Sequence, residues 1–106
     1  MNTQHQVILS LGSNQGNRLV NIQSAVDLIH REVGTVVKIS KLYETQSWGF
    51  ESDAFYNCAL VLHTLHDAQS ILEKVLEIEK KLGRIRSESE GYQARPIDID
   101  VIAFDE

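Results

Sequence analysis

At its carboxyl end the chain reads Arg95-Pro96-Ile97-Asp98-Ile99-Asp100-Val101-Ile102-Ala103-Phe104, an apolar, β-branched run with two carboxylates two residues apart. Its period is that of a strand, in which alternate side chains share a face. Asp98 and Asp100 therefore project together, while Ile97, Ile99, Val101 and Ala103 are expected to face the core. This strand supplies the last element of a second β-α-β half and so decides the architecture. It also poses a chemical problem. Two anions 4 Å apart repel by ~1 kcal/mol in water and by roughly 4 kcal/mol at the effective dielectric of a protein surface. Protonating one carboxyl or binding a cation removes that penalty. Near neutral pH, with basic residues just upstream, a hard divalent cation is the more economical answer. The competing reading is a half-exposed strand carrying two solvated aspartates.

Working back from this strand, residues 84–94 hold almost no apolar side chains and read as a long loop. Before it, Asp67 is a good N-cap for a helix whose Ala68, Ile71, Leu72, Val75, Ile78 (or Glu79) and Leu82 line one side, with Gly83 closing it. Phe55 to His63 is a strand, and residues 44–54 are a loop without a period. Thr35 to Tyr43 is rich in Val, Ile and Thr and reads as another strand. Leu19, Ile22, Val26, Ile29 and Val33 recur at spacings of three and four, which marks a helix with Gly34 at C′. Val7 to Leu11 is the first strand, stopped by Gly12-Ser13-Asn14-Gln15-Gly16-Asn17. The order is βαββαβ. Its short helices must cover one face of a four-stranded antiparallel sheet, which gives a ferredoxin-like α+β two-layer sandwich. In that topology the first and third strands are central.

The totals agree with one domain. A chain of 106 residues, 42% apolar and with a single proline, has enough material for one core. No apolar run approaches the ~20 residues of a membrane span and the amino terminus lacks a signal-peptide core, so a cytoplasmic chain with no membrane partner is expected. The lone Cys58 lies in an apolar strand and reads as a buried thiol. His5, His30, His63 and His66 show no zinc-ligand spacing with cysteine. A net charge of −5 argues against nonspecific nucleic-acid binding. Yet between Glu79 and Arg95 five basic residues (Lys80, Lys81, Arg84, Arg86, Arg95) face three acidic ones. Basic density beside the Asp pair suits a small polyanion.

Three polar segments could then meet at one cleft: residues 12–17, 44–54 and 84–94. Alone, each has a plainer reading. Gly-Ser-Asn makes turns, Trp48-Gly49-Phe50 reads first as a packed loop anchor, and Arg84 and Arg86 suit a helix C-terminus. Asn57 is more specific. A buried amide in an apolar strand costs stability unless bonded, and it can read the edge of a heterocycle.

Together, Leu11-Gly12-Ser13-Asn14, Tyr43-Glu44-Thr45, Phe55-Tyr56-Asn57, Ile78-Glu79-Lys80-Lys81-Leu82-Gly83-Arg84-Ile85-Arg86 and Arg95-Pro96-Ile97-Asp98-Ile99-Asp100 resemble the 6-hydroxymethyl-7,8-dihydropterin pyrophosphokinases of folate biosynthesis. The resemblance runs in order from about Val7 to Phe104. It implies transfer of pyrophosphate from ATP to the hydroxymethyl group of the pterin, with release of AMP. By the same resemblance Asp98 and Asp100 hold two Mg2+ ions and, with Arg84 and Arg95, form the catalytic set. Glu79, Arg84, Arg86 and Arg95 line the ATP side. Thr45, Trp48, Phe55 and Asn57 line the pterin side, with Phe55 stacking on the ring. Charge neutralisation and in-line positioning are what phosphoryl chemistry needs most, and this set offers both.

The chain departs from that pattern in places. Ser47 stands where the family usually has proline, and Tyr92-Gln93-Ala94 replaces Trp-Gly-Pro before Arg95. Family members usually continue for several dozen residues past the position of Phe104. The expectation for residues 1–106 is thus one pyrophosphokinase-like domain without the family's usual C-terminal part. The alternative function is an impaired or silent ligand-binding domain of the same fold. The family is usually monomeric, and an exposed apolar flank of the sheet would favour self-association here.

Overall fold

Val7, Leu9 and Leu11 fall on alternate positions, so one face of their strand is wholly apolar and must be buried. They lie in β1 (His5–Ser13), which pairs antiparallel with β4 (Phe55–Thr64). The register sets Val7, Leu9 and Leu11 against Leu62, Leu60 and Cys58, all buried. The computed structural model describes residues 4–45, 54–83 and 96–105. Within them, α1 (Arg18–Glu32) follows β1. β2 (Thr35–Ile39) and β3 (Tyr43–Thr45) come next, and α2 (Ala68–Lys81) and β5 (Asp98–Phe104) follow β4. The sheet order is β2-β4-β1-β5, with β3 also on β4 and every pairing antiparallel. β1 and β4 are central, as the topology requires, and the fold is the α+β ferredoxin-like sandwich.

Both helices bury their apolar stripes on the sheet face that carries Leu9 and Leu60. Ile22, Ala25, Ile29 and Val33 come from α1 and its C-cap, and Ile71, Val75 and Ile78 from α2. Fully burying an aliphatic side chain of this size is worth about 2 kcal/mol, and this layer is the core. Asn17 caps α1 by accepting the Val20 amide at 3.1 Å, and Asp67 caps α2 by accepting that of Ser70 at 2.9 Å. Gly83 follows α2 with φ +96, the left-handed conformation that glycine adopts without strain. Among the described residues no helix is long and apolar enough to cross a membrane.

Several expectations are corrected. The second strand is two pieces, so the sheet of the described residues has five strands rather than four. Ser40 breaks the ladder, because its hydroxyl accepts the Ala59 amide at 2.8 Å and donates to the Lys41 carbonyl at 2.8 Å. Glu44 and Thr45 belong to β3 rather than to a loop, and Gly12 and Ser13 belong to β1. Leu19 and Leu72 are exposed, and the buried positions nearest them are Ile22 and Ile71. Gly34 does follow the C-cap of α1, but not with positive φ; a Cβ there would collide with the His63 carbonyl and crowd the Leu62 and Thr64 side chains. Ala103 does not face the core. The β1–β5 register slips by one between Ile8 and Leu9, so Ala103 pairs with Ile8 and Phe104 packs against the core in its place.

Candidate functional site

The helix-free face of the sheet holds the candidate site. Leu9 and Leu11 point to the helices, so their neighbours Ser10 and Gly12 point away, and so do the residues paired with them. Gly12 pairs with Asn57 on one side and Asp98 on the other. Ser10 pairs with Ala59 and Asp100. Two adjacent rows therefore cross the sheet, Asn57–Gly12–Asp98 and Ala59–Ser10–Asp100. Strands lie about 4.8 Å apart, which sets Asn57 roughly 10 Å from Asp98 with only a glycine between them. A larger residue in its place would crowd the amide. A Cβ at Gly12 would stand 3.0 Å from Asn57 Oδ1 and 3.5 Å from Phe55 Cδ1.

On one side of Gly12 the groups suit a planar heterocycle. Asn57 Nδ2 donates to Thr45 Oγ1 at 2.8 Å, and the β3–β4 pairing brings Thr45 opposite Phe55 and Tyr43 opposite Asn57. Asn57 is half-buried rather than buried. Thr45, Phe55 and Asn57 thus share one corner of the open face.

On the other side the groups suit cations. Asp98 and Asp100 share this face, as the strand period requires; Asp98 is half-buried and Asp100 exposed. Glu79, only 3% exposed, stands behind them on α2. Its Oε2 accepts the Ile99 amide at 2.9 Å, which fixes the edge strand between the two aspartates. Glu79, Asp98 and Asp100 line one cleft of about 600 Å³ with Leu72, Leu76 and Val101. Among the described residues no cluster of three or more His, Cys, Asp or Glu is arranged to cage a metal. Two carboxylates on an open face suit Mg2+, which keeps waters and completes its shell with substrate phosphates.

The segment leading out of β1 is built for rigidity. Ser13 and Asn14 are buried, and Asn21 Nδ2 donates to Ser13 Oγ at 3.3 Å and to the Gln15 carbonyl at 2.8 Å. Cys58 is buried below the rows, and burial pushes its thiol above its ordinary pKa, as expected of an inert cysteine. Arg84, Arg86, Arg95 and Trp48 lie outside the described residues, as do Ser47 and 92–94. The convergence of three loops is described only at the flanks of two of them. Ser10 was missed from sequence and Tyr43 was given no role there; the strand register brings Ser10 into its row and Tyr43 opposite Asn57.

The chain matches the family described as 7,8-dihydro-6-hydroxymethylpterin-pyrophosphokinase (HPPK) over residues 8–105. It is 41% identical over 98 residues to a 2-amino-4-hydroxy-6-hydroxymethyldihydropteridine pyrophosphokinase of Porphyromonas gingivalis, covering 91% of this chain and 67% of that relative. The Bacillus subtilis enzyme of the same name is 38% identical, over 91% of this chain and 58% of its own length. The chain therefore spans roughly three fifths to two thirds of these relatives. A crystal structure of Plasmodium falciparum HPPK-DHPS superposes with a TM-score of 0.80 over 99% of this chain and 31% of that one, at 18% identity, which speaks to the fold alone. With the family match running through both rows of the open face, the chain belongs to the 7,8-dihydro-6-hydroxymethylpterin-pyrophosphokinase family.

Proposed function

We propose that this chain performs the pyrophosphoryl transfer for which its family is named, from ATP to the hydroxymethyl group of 6-hydroxymethyl-7,8-dihydropterin, as a cytoplasmic step of folate synthesis. The hydroxymethyl oxygen forms a bond to the β-phosphorus as its proton passes to solvent, the bond from the β-phosphorus to the α,β-bridging oxygen breaks, and AMP departs with that oxygen. The observation that carries this reading is the pair of rows on the open face. Carboxylates at Asp98 and Asp100 and an amide at Asn57 flank a glycine that leaves room for two substrates to meet.

Asp98 and Asp100 hold two Mg2+ ions, which when bound offset the charge of the triphosphate. Glu79 holds their strand in place beside the nucleotide. Arg84, Arg86 and Arg95 complete the ATP side, and Arg84 and Arg95 share the catalytic work by contacting the phosphates. Asn57 and Thr45 bond the pterin edge, Phe55 stacks on its face, and Trp48 completes that side. Holding the two reactants in line removes the entropy of their encounter, and the fixed positive groups stabilise charge in transfer.

The test is AMP formation by the full-length protein. It is expected only with pterin, ATP and Mg2+ together, and Asp98→Ala is expected to lower it by at least about a hundredfold, the scale of losing a transition-state electrostatic contact, with the fold intact by circular dichroism. No AMP with all three present contradicts the proposal.

A further inference from the structure

We infer that Arg18 is a positioning residue for the heterocycle half of the site, acting from the reverse side of the sheet; this rests on the function proposed above. Arg18 opens α1, and its guanidinium carbon lies 4.1 Å from the centre of the Tyr56 ring. Its Nη1 donates to the Ala54 carbonyl at 2.7 Å and lies 4.0 Å from Glu44 Oε2. Its side chain is 23% exposed, too sheltered for a freely solvated charge.

What Arg18 touches alternates with what the pterin side uses. Glu44 pairs with Tyr56, between the Tyr43–Asn57 and Thr45–Phe55 pairs. By the two-residue period, Glu44 and Tyr56 occupy the helix side, and Thr45, Phe55 and Asn57 the open side. β3 needs support there. It has three residues, all exposed, and lies off the main strand order. A ladder that short gains little from its own bonds. Arg18 reaches both of its strands at once, through charge to Glu44 on β3, and through a planar stack and a hydrogen bond to Tyr56 and its neighbour Ala54. It thereby fixes the register that keeps Thr45 Oγ1 2.8 Å from Asn57 Nδ2. Arg18 lies on the opposite face from Asp98, so it acts on the pocket's shape and not on the reacting atoms.

The test compares Arg18→Met and Arg18→Lys with the parent in the full-length protein. Its readouts are the Asn57 side-chain amide resonances without ligand and the separate kinetic constants for pterin and ATP. In Arg18→Met the Asn57 resonances are expected to shift and the pterin KM to rise about tenfold, with kcat and the ATP KM within about twofold, the mark of lost binding rather than lost chemistry. Arg18→Lys keeps a donor for Ala54 but loses the planar stack, so it is expected to restore only part of the pterin KM. If Arg18→Met does not fold, Arg18→Lys carries the same test with a smaller shift of both readouts. Unmoved Asn57 resonances, or a fall in kcat with both KM values unchanged, overturn the inference. If the parent itself forms no AMP, the proposed function fails, while the Asn57 resonances still decide the role of Arg18.

Discussion

Asp98 and Asp100 owe their common direction to the strand period, but their fixed position to Glu79. A buried carboxylate that accepts an edge-strand amide turns α2 into a clamp on β5. Glu79→Ala removes that acceptor and leaves the Ile99 amide to find another partner, at an expected cost of about 1–3 kcal/mol. Urea denaturation of the variant and the parent measures it; equal midpoints contradict the clamp. Glu79→Gln retains an acceptor oxygen and is expected to cost less. The spacing of apolar residues along α2 admits either Ile78 or Glu79 as the inward position, and both are buried. The bond from the Ile99 amide to Glu79 Oε2 helps to offset the burial of a charged side chain there. Asp98, Asp100 and Asn57 were legible as chemistry because their residue types are unusual for apolar strands, whereas Phe55 entered only through the family resemblance. Ser10 and Arg18 were not. Serine and arginine are ordinary in polar-flanked strands and at helix starts, and their meaning comes from partners distant in sequence, such as Ala54 for Arg18.

At the scale of elements, caps and close approaches determine where each helix and strand ends. Gly34 enters the β1–α1–β2 unit where the chain passes tightly over β4. Gly34→Ala is expected to cost about 1–3 kcal/mol as an overpacking change, read as a lowered melting temperature, and an unchanged value contradicts the close approach. The acidic caps give a pH dependence. The Ser70 amide, bonding the Asp67 carboxylate, holds its pKa below the ordinary 3.8. Asp105 is held below 3.8 in the same way, first by the Gln6 amide and then by His5 at 2.6 Å. A carboxylate with a depressed folded pKa stabilises the fold above its unfolded value, and that gain is lost as pH falls through the folded one. The stability gap between the parent and Asp67→Asn is thus expected to be constant near neutrality and to shrink below pH 3.8. A gap unchanged in acid contradicts this. Helix periodicity and the Asp67 cap could be read from the chain because both are local. The split of the second strand at Ser40 and the slip that turns Ala103 outward could not. Each depends on a cross-strand partner, Ala59 in one case and Ile8 in the other.

At the scale of the whole molecule, the two helices cover one face of the sheet, and among the described residues no helix covers the other. Ile8, Val61 and Ala103 lie half-buried on the helix-free side beside the two rows, with half-buried Ala59 inside one of them. Apolar surface of this kind favours association. The 106-residue chain is expected to sediment with a weight-average mass that rises with concentration, and a concentration-independent monomer contradicts that. The βαββαβ order was legible because its strands and helices alternate with clear periods, and the topology then follows from the need to cover one face. The meeting of Asn57 and Asp98 across Gly12 is a property of register alone, although the residue types at both ends suggested partners for one site.

Titration of the full-length protein with Mg2+ and a nonhydrolysable ATP analogue, followed by amide resonances, tests this arrangement most directly. Saturable shifts are expected at Asp98, Ile99 and Asp100, followed by shifts at Asn57 when pterin is added, with Gln6 and Thr64 at the far end unmoved. Shifts confined to the far end, or none at Asp98 and Asp100 at saturating nucleotide and metal, contradict a site built on the open face.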